Sequence, residues 1–431
     1  MVTRRGSKDA APRASWVALG VVGALALTGC AETGTGAGGG SGQGVEYGAS
    51  MEEYHAAFAD VEPITLTTQS PAPKGSITGA NVEAYFEALT EWSDGKLQFD
   101  IAYSNAIVEP AEADDALIDG RLDIAQVLPI YEPSEYPANA ALIEASFLSD
   151  HSVVVGALQS NAWPLETAFD TPEILQEYED KGIKLMMPSY NSGSNALFCS
   201  KERRGLDDLK GMQAAAGGQA QSKEIEALGG SAASVAYPEL YESLQRGVVD
   251  CSVSSLTVGV LGGFIEAAPH VVVDPDAGFA LAPGGMAVSQ ATWDSLPLVA
   301  RQLMWDRLDV FLTSNIADKI WPNIVEASTQ VAEAGGSIEV FEDDARKALN
   351  KANAELLEDL RGTPAIADGD AFVDRMEESA AKWLQIVEED LGYTNETDYN
   401  GFADWYTADA VDLEPYVTRV YEEILLEHRP S

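Results

Sequence analysis

The residues that could do acid–base, nucleophilic or metal chemistry are scattered along the chain instead of forming known motifs. The four histidines, His55, His151, His270 and His428, lie far apart, and none belongs to an H-E-x-x-H motif. The sequence has no G-x-S-x-G nucleophile turn and no G-x-x-x-x-G-K-[ST] phosphate loop. Carboxylate-pair chemistry stays open, because many pairs among the 69 Asp and Glu residues could meet in space. We therefore expect that the protein is not an enzyme and that it binds neither a metal nor a cofactor.

The charge balance limits the partners of the protein. Lys and Arg number 26 against 69 Asp and Glu, which gives a formal net charge of −43 at pH 7. Such a charge repels nucleic acid, so no nucleic-acid partner is expected. The carboxylates are spread along the chain and form no D-x-[DN]-x-[DN]-G loop of the calcium-binding type. This pattern favours an acidic solvated surface over a set of cation sites.

The N-terminal segment is typical of an exported, lipid-anchored protein. A basic region at 4–13 precedes an apolar run at 16–27 that is too short to span a bilayer comfortably. The run ends in L-T-G-C, which looks like a bacterial lipobox and predicts lipidation of Cys30; a plain secretory signal with an incidental cysteine is the alternative. We expect a lipoprotein signal peptide over 1–29 and a flexible tether rich in Gly, Thr and Ser over 30–60.

The body of the chain alternates between strand and helix patterns, which is typical of an α/β protein. Strands are predicted at 64–68, 97–103, 122–127, 183–187, 197–200 and 271–273, and helices at 81–92, 224–228, 343–361 and 372–391. Apolar residues recur at every fourth position from 304 to 320, so one long helix is predicted over 299–321. We expect no second hydrophobic span, and hence no channel.

One stretch in the middle of the chain is more particular. Residues 239–250 read E-L-Y-E-S-L-Q-R-G-V-V-D and predict a helix, a stop at Gly247 and a strand that begins at Val248. The order E-x-Y-x-x-L-Q-x-G-V-V-D resembles the signature of the solute-binding proteins of TRAP (tripartite ATP-independent periplasmic) transporters. Two other segments support the resemblance, A-L-I-D-G-R-L-D-I-A at 116–125 and L-D-D-L-K-G at 206–211.

The resemblance implies an α/β, two-lobe periplasmic-binding-protein-like fold with crossing hinge strands and a long interlobe helix. We expect the first lobe over 61–190 with about 255–300, and the second lobe with the spanning helices over 191–254 with about 300–431. A solute would be captured between the lobes by hinge closure and delivered to the membrane permease subunits of a TRAP transporter. The implied protein is an extracytoplasmic receptor, anchored to the cell membrane through the lipid on Cys30.

Other functions are compatible with the same sequence. A solute-binding lipoprotein of an ATP-driven importer would share the signal peptide, the tether and a two-lobe body. A secreted lipoprotein hydrolase would need a nucleophile–base pair that no motif supplies. A structural or adhesive surface protein would have no cleft and no ligand-dependent change in melting temperature.

The ligand predicted from the sequence differs from the one usual in the family. TRAP solute-binding proteins usually carry an arginine in the strand after the D-L-K-G turn, where it pairs with a substrate carboxylate. Here the corresponding run, 212–216, reads M-Q-A-A-A. Loss of such a pair costs about 2–5 kcal/mol. We therefore expect a neutral or zwitterionic solute held by amides, hydroxyls and aromatic faces; a carboxylate on a differently placed arginine is the alternative.

The candidate ligand-binding residues follow from their positions in the family pattern and in loops between strands. Tyr237 occupies an aromatic position just before the E-x-Y segment, although a packed surface tyrosine would fit the same pattern. Asparagines in such loops are often only turn formers. The other candidates, each with a structural alternative, are Tyr131, Tyr190, Asn191, Asn195, Gln219, Ser252 and Ser254.

The resemblance also suggests a role for the two cysteines that remain after lipidation. Cys199 and Cys251 lie on candidate strands that the family uses to cross between lobes, and thiol pairs outside the cytoplasm tend to oxidise. We expect a disulfide between them, worth about 4 kcal/mol in the loop-entropy account. Two buried free thiols are the alternative.

Overall fold

The computed structural model of the protein describes residues 42–431. The expected signal peptide, the lipobox cysteine Cys30 and the first part of the expected tether lie outside these residues. Within 42–431, none of the helices has both the length and the apolar character that crossing a membrane requires.

Two β-sheets form the centre of the described chain. Their strands are β1 (Ile64–Gln69), β2 (Leu97–Ala102), β3 (Ile124–Val127), β4 (Ile183–Tyr190), β5 (Asn195–Cys199), β6 (Gln213–Ala216), β7 (Ser231–Ser234), β8 (Cys251–Ser255), β9 (His270–Val272), β10 (Gly284–Ser289) and β11 (Ser337–Glu339). The first sheet is five-stranded with the order β2-β1-β3-β10-β4, and the second is six-stranded with the order β11-β9-β5-β8-β6-β7. Because β10 belongs to the first sheet and β9 to the second, the segment between them crosses from one sheet to the other.

Both sheets mix parallel and antiparallel pairs. In the first sheet β1 pairs in parallel with β2 and β3, whereas β10 is antiparallel to β3 and β4. In the second sheet β6 pairs in parallel with β7 and β8, whereas β5 is antiparallel to β8 and β9. The parallel pairs are connected through helices, which cover the sheets as in other α/β proteins. The predicted fold class is confirmed.

The helices that surround the sheets are α1 (Met51–Phe58), α2 (Ala80–Trp92), α3 (Ala113–Asp119), α4 (Pro137–Glu144), α5 (Val155–Gln159), α6 (Trp163–Phe169), α7 (Pro172–Glu179), α8 (Leu206–Leu209), α9 (Gln219–Ala227), α10 (Leu240–Gln245), α11 (Leu256–Gly262), α12 (Gln290–Ser295), α13 (Leu298–Asp306), α14 (Leu308–Ser314), α15 (Trp321–Glu333), α16 (Asp343–Leu360), α17 (Gly369–Gln385), α18 (Phe402–Trp405) and α19 (Glu414–Val420). Turns of π-helix follow α14, α17 and α19, at Asn315–Ile320, Ile386–Asp390 and Tyr421–Leu425.

The long helix predicted over 299–321 is a longer run of helical segments. α13, α14, the π-turn Asn315–Ile320 and α15 follow one another, with a break at Arg307. The predicted apolar face is buried, and Leu308 and Ile320 are 0% exposed. We call Leu298–Glu333 the helical run. It contacts α1 and α2 on the side of the first sheet, and α11 and β11 on the side of the second.

The prediction of a flexible tether over 30–60 is wrong for the C-terminal part of that range. A capping box of Ser50 and Glu53 starts α1, with both reciprocal hydrogen bonds present. Tyr54 and Phe58 are fully buried in the core. Burial of two aromatic side chains stabilises an ordered helix, so this segment is part of the folded body.

The signature stretch folds nearly as predicted. Gly247 takes φ +68° after α10, the left-handed conformation expected of a glycine helix stop. The strand, however, begins at Cys251, and Val248 is 57% exposed. Residues 247–250 form the turn instead, with the Asp250 N–H donating to the Gln213 carbonyl at 2.7 Å.

One lobe assignment also needs correction. The lobe limits predicted from the sequence place β9 in the first lobe, but it pairs with β5 and β11 in the second sheet. The predicted lobe boundary at about 255 therefore comes too early, because strand pairing over long sequence distances does not follow from local pattern.

The C-terminal segment is tied to the start of the described chain by one carboxylate. Asp306, at the end of α13, accepts hydrogen bonds from Tyr54 Oη at 2.5 Å, Tyr421 Oη at 2.6 Å and Arg429 Nε at 2.7 Å. Arg429 Nη2 donates a further bond to Asp306 at 3.0 Å. We call Asp306, Tyr54, Tyr421 and Arg429 the Asp306 cluster.

Candidate functional site

A cavity lies between elements of the two sheets. It encloses about 850 Å³ of empty space, counting the part that opens to solvent. Gln126 reaches it from β3 of the first sheet, and Asn195 and Ser254 reach it from β5 and β8 of the second. Lys319 reaches it from the π-turn in the helical run. A cavity in this position, between the two sheets of an α/β protein, is a common site for a small organic ligand.

Most polar groups on the cavity wall are hydroxyls and amides. Ser252 Oγ lies 3.1 Å from Ser254 Oγ, and Ser192 Oγ lies 3.3 Å from Ser255 Oγ. Such groups can donate or accept, so they can bind ligand hydroxyls and carbonyls of either hydrogen-bonding sense. The lining residues with hydroxyl or amide side chains are Thr78, Gln126, Tyr131, Ser192, Asn195, Gln221, Tyr237, Ser252, Ser254, Ser255 and Thr257.

Lys319 is the only charged residue among the cavity-lining residues of the described chain. It is 7% exposed, and burial lowers the pKa of its ammonium from 10.5 to about 8. Its Nζ lies 5.7 Å from the centre of the Tyr190 ring. No carboxylate between 42 and 431 forms a salt bridge with Lys319, and burial alone accounts for its shifted pKa. The cavity therefore contains a cation whose counter-charge the described protein does not provide.

Tyr237, on the cavity wall, forms a polar contact with a residue beside the first sheet. Its Oη accepts a hydrogen bond at 2.5 Å from Asn105 Nδ2, which follows β2 of the first sheet. The backbone N–H of Tyr237 donates to Tyr131 Oη at 3.4 Å. Burial raises the pKa of Tyr237 to about 12, so the phenol is neutral at pH 7. These contacts join residues beside the first sheet to the segment that precedes α10.

Asn195 and Gln221 hold the segment that crosses between the sheets. Asn195 Nδ2 and Gln221 Nε2 both donate to the Ala280 carbonyl, at 2.6 and 3.0 Å. The Ala280 N–H donates to Glu224 Oε1 at 2.8 Å. Glu224 is fully buried, and burial raises the pKa of its carboxyl to about 8. Asn195 thus has a structural role in addition to its position on the cavity wall.

The structure separates the predicted ligand-binding residues into two groups. Those on the cavity wall are Tyr131, Tyr237, Asn195, Ser252 and Ser254, whereas Tyr190, Asn191 and Gln219 do not line it. Tyr190 packs edge-on against Phe311, with ring centres 4.9 Å apart. Whether the lining residues contact a ligand stays a prediction.

Local contacts and exposure explain why Asn191 and Gln219 do not line the cavity. The backbone N–H of Asn191 donates to Asn161 Oδ1 at 2.7 Å and its carbonyl accepts from Asn315, so Asn191 joins the turn between α5 and α6 to the π-turn of the helical run. Gln219 is exposed at the start of α9. Two positions further along the helix, Gln221 is 1% exposed and lines the cavity in its place.

Sequence reasoning missed Lys319 although the sequence contained a signal. Lys319 stands between Ile316 and Ile320, which belong to the predicted apolar face of the helical run. A lysine at such a position is either paired or functional, because burial of a lone ammonium is costly.

The structure places the remaining two cysteines in a disulfide. Cys199 and Cys251 stand opposite each other on the antiparallel strands β5 and β8, with the sulfur atoms 2.06 Å apart. The bond lies in the buried core of the second sheet. Between 42 and 431, the His, Cys, Asp and Glu side chains form no group that could hold a metal ion.

The structure has two mixed β-sheets covered by helices, segments that cross from one sheet to the other, and a cavity between the sheets. This architecture defines the class of two-lobe extracytoplasmic solute-binding proteins. The family model for bacterial extracellular solute-binding protein, family 7 (DctP), matches residues 69–362. The chain belongs to this family, the solute-binding proteins of TRAP transporters.

Individual relatives are distant in sequence and similar in fold. A solute-binding protein of Albidiferax ferrireducens is 22% identical over 261 residues, which cover 59% of this chain and 74% of that protein. The benzoate-bound TRAP solute-binding protein of Rhodoferax ferrireducens has a TM-score of 0.65 at 18% identity, over 75% of this chain and 99% of the other. The galactonate-bound sugar acid binding protein of Advenella mimigardefordensis has a TM-score of 0.63 at 19% identity, over 75% and 100%.

A third structure extends the range of ligands. A marine metagenome TRAP solute-binding protein, bound to pyroglutamate, has a TM-score of 0.62 at 16% identity, over 74% of this chain and 99% of that one. These likenesses support the two-lobe fold.

Proposed function

We propose that the protein is the extracytoplasmic receptor of a TRAP-type transporter, which binds a small organic acid and delivers it to a membrane permease. The observation that carries the proposal is the cavity between the two sheets, with Lys319 as its only charged lining residue in the described chain. A carboxylate would supply the counter-charge that this ammonium lacks. This ligand class replaces the neutral or zwitterionic solute expected from the missing arginine.

The ligands of the similar structures support an acid. Benzoate, galactonate and pyroglutamate, which those proteins bind, each carry one carboxylate. Their remaining parts range from an aromatic ring to a polyhydroxyl chain. A cavity lined by hydroxyls, amides and apolar side chains together suits this range.

Hinge closure is the capture mechanism that we propose. The Asn105–Tyr237 hydrogen bond joins residues beside the two sheets, and Ala280 lies in a segment that crosses between them. A ligand that contacts both sides adds interactions to the closed state only, and so shifts the population towards closure. Release to the permease would then require reopening.

A thermal-shift screen should show stabilisation by organic acids. With a ligand at 100 times its Kd, binding to the native state adds about 2.7 kcal/mol to the free energy of unfolding. The screen compares monocarboxylates, dicarboxylates, neutral sugars and amino acids, and calorimetry measures Kd for each hit. If no acid binds and a sugar or an amino acid does, the proposed ligand class is wrong; if no solute binds, the receptor function is wrong.

We also propose that Cys30 carries the lipid that holds the receptor at the membrane. Expression of the full chain should give a membrane-associated protein whose N-terminal residue after processing is a lipidated Cys30. The Cys30→Ser variant should appear in the soluble fraction with an unlipidated N-terminus. Mass spectrometry of the N-terminal peptide measures this directly, and a lipid-free Cys30 in the wild type would contradict it.

A further inference from the structure

We propose that Lys319 sets the charge of the ligand: its ammonium pairs with one carboxylate, and the rest of the ligand must be uncharged. This inference rests on the proposed function and names the residue and the rule by which the cavity selects among organic acids. The predicted preference is for monocarboxylates over dicarboxylates and over amino acids.

The first argument is the contrast between Lys319 and other buried charges of the protein. Asp306 pairs with Arg429, with Nε and Oδ1 2.7 Å apart, and Asp274 pairs with Arg346, with Nη2 and Oδ2 2.9 Å apart. Lys319 is equally buried, yet it forms no salt bridge within the described chain. A protein keeps a buried charge when the charge has a partner, so an unpaired ammonium on a cavity wall indicates a partner that enters from outside.

The second argument is the absence of any other formal charge on the wall. No Arg, His, Asp or Glu lines the cavity in the part of the chain that the structure describes. A second carboxylate on the ligand would lose its hydration without gaining a cation. The ammonium of an amino acid would likewise lack an anion. A ligand with one carboxylate and neutral polar groups has no second charge that must lose its hydration without gaining a partner.

The third argument concerns the surface around Lys319. The Tyr190 ring, 5.7 Å from Nζ at its centre, is a neutral aromatic face, and the phenol of Tyr237, which lines the same cavity, stays protonated at pH 7. A lysine presents a compact point charge, so it pairs with a carboxylate without requiring the fixed bidentate geometry of an arginine. Acids with different carbon skeletons, such as rings and chains, can therefore place their carboxylate against the Lys319 ammonium.

A purely structural lysine is the competing explanation. Lys319 could instead be retained for its packing and for its interaction with the Tyr190 ring, at 5.7 Å from Nζ to the ring centre. In that case its replacement would change the stability of the protein and leave the ligand preference unaltered.

The test compares Lys319→Met, Lys319→Gln and Lys319→Arg with the wild type. The control is Lys223→Met, which removes a half-exposed lysine outside the cavity, paired with Asp359. Each variant is first checked for a cooperative melting transition. Calorimetry then measures binding of benzoate, galactonate and pyroglutamate, of their primary amides, and of succinate.

The expected result is at least a 100-fold loss of acid affinity in Lys319→Met and Lys319→Gln, with the amides unaffected. Lys319→Arg should keep acid binding within about tenfold, and Lys223→Met should match the wild type. Acid affinities in Lys319→Gln within threefold of the wild type would overturn the inference while leaving the receptor function intact. Succinate binding as tightly as the monocarboxylates would overturn the one-charge rule. Failure of the wild type to bind any acid, in the panel or in the wider screen, would instead overturn the acid-binding part of the proposed function.

Discussion

Replacing Asp306 with alanine should lower the free energy of unfolding by about 3–5 kcal/mol. The Asp306 side chain is 4% exposed and that of Arg429 is 11% exposed, so their ion pair is shielded from water. Truncation would leave the Arg429 guanidinium buried without its carboxylate. It would also leave the hydroxyls of Tyr54 and Tyr421 without the acceptor that they contact at 2.5 and 2.6 Å.

Urea unfolding followed by circular dichroism measures this loss. Asp370→Ala is the matched control, because Asp370 is 78% exposed and its ion pair with Arg361 should contribute less than about 1 kcal/mol. The double variant Asp306→Ala with Arg429→Met should recover part of the loss, since the unpaired cation is then removed as well. A loss below about 1 kcal/mol in Asp306→Ala would show that the cluster does not hold the C-terminal segment.

The second large effect is expected at Glu224, whose carboxyl makes stability depend on pH. Its pKa is raised from 4.5 to about 8 by burial, which outweighs the hydrogen bond from the Ala280 N–H. Between these two values the unfolded chain has lost the proton while the folded protein retains it. The contribution of Glu224 to stability therefore falls as pH rises from about 4.5 to about 8, by at most about 1.4 kcal/mol per pH unit, and is constant above that range.

Glu224→Gln should abolish this decline. The glutamine oxygen can still accept from Ala280, and no charge has to be buried. The difference in unfolding free energy between variant and wild type should therefore shift in favour of the variant from pH 5 to pH 8, by a few kcal/mol in total. Glu226→Gln, an exposed position on the same helix, controls for the loss of one negative charge from a chain with a net charge of −43. Parallel pH profiles for Glu224→Gln and the wild type would contradict the assignment.

Features that depend on neighbouring residues were readable from the sequence. Gly247 takes the left-handed conformation predicted of a helix stop, with φ of +68°. The apolar face of the helical run is buried as its four-residue spacing predicted. Such features rest on local backbone preferences and on periodicity, which a single sequence records.

Features that depend on contacts between residues far apart in the chain could not be predicted from the sequence. β9 joins the second sheet because it pairs with β5, about seventy positions earlier, and local pattern does not encode that choice. The C-terminal segment packs against the core through Asp306, which looks like any other acidic residue in a chain with 69 of them. The burial of Lys319 has the same origin, because the depth of a side chain is fixed only when the helices around it have assembled.

The position of Lys319 in the helical run also bears on how closure would respond to different ligands. The run contacts elements beside both sheets, and we infer that a group at its π-turn would lie near the axis of the proposed hinge closure. Ser252 and Ser254, on β8 of the second sheet, would travel further in the same motion. With the carboxylate held at a nearly stationary point, the length of the ligand would determine the angle at which the lobes stop. In the proposed transport function, the permease would then bind closed receptors whose shape depends on the size of the cargo.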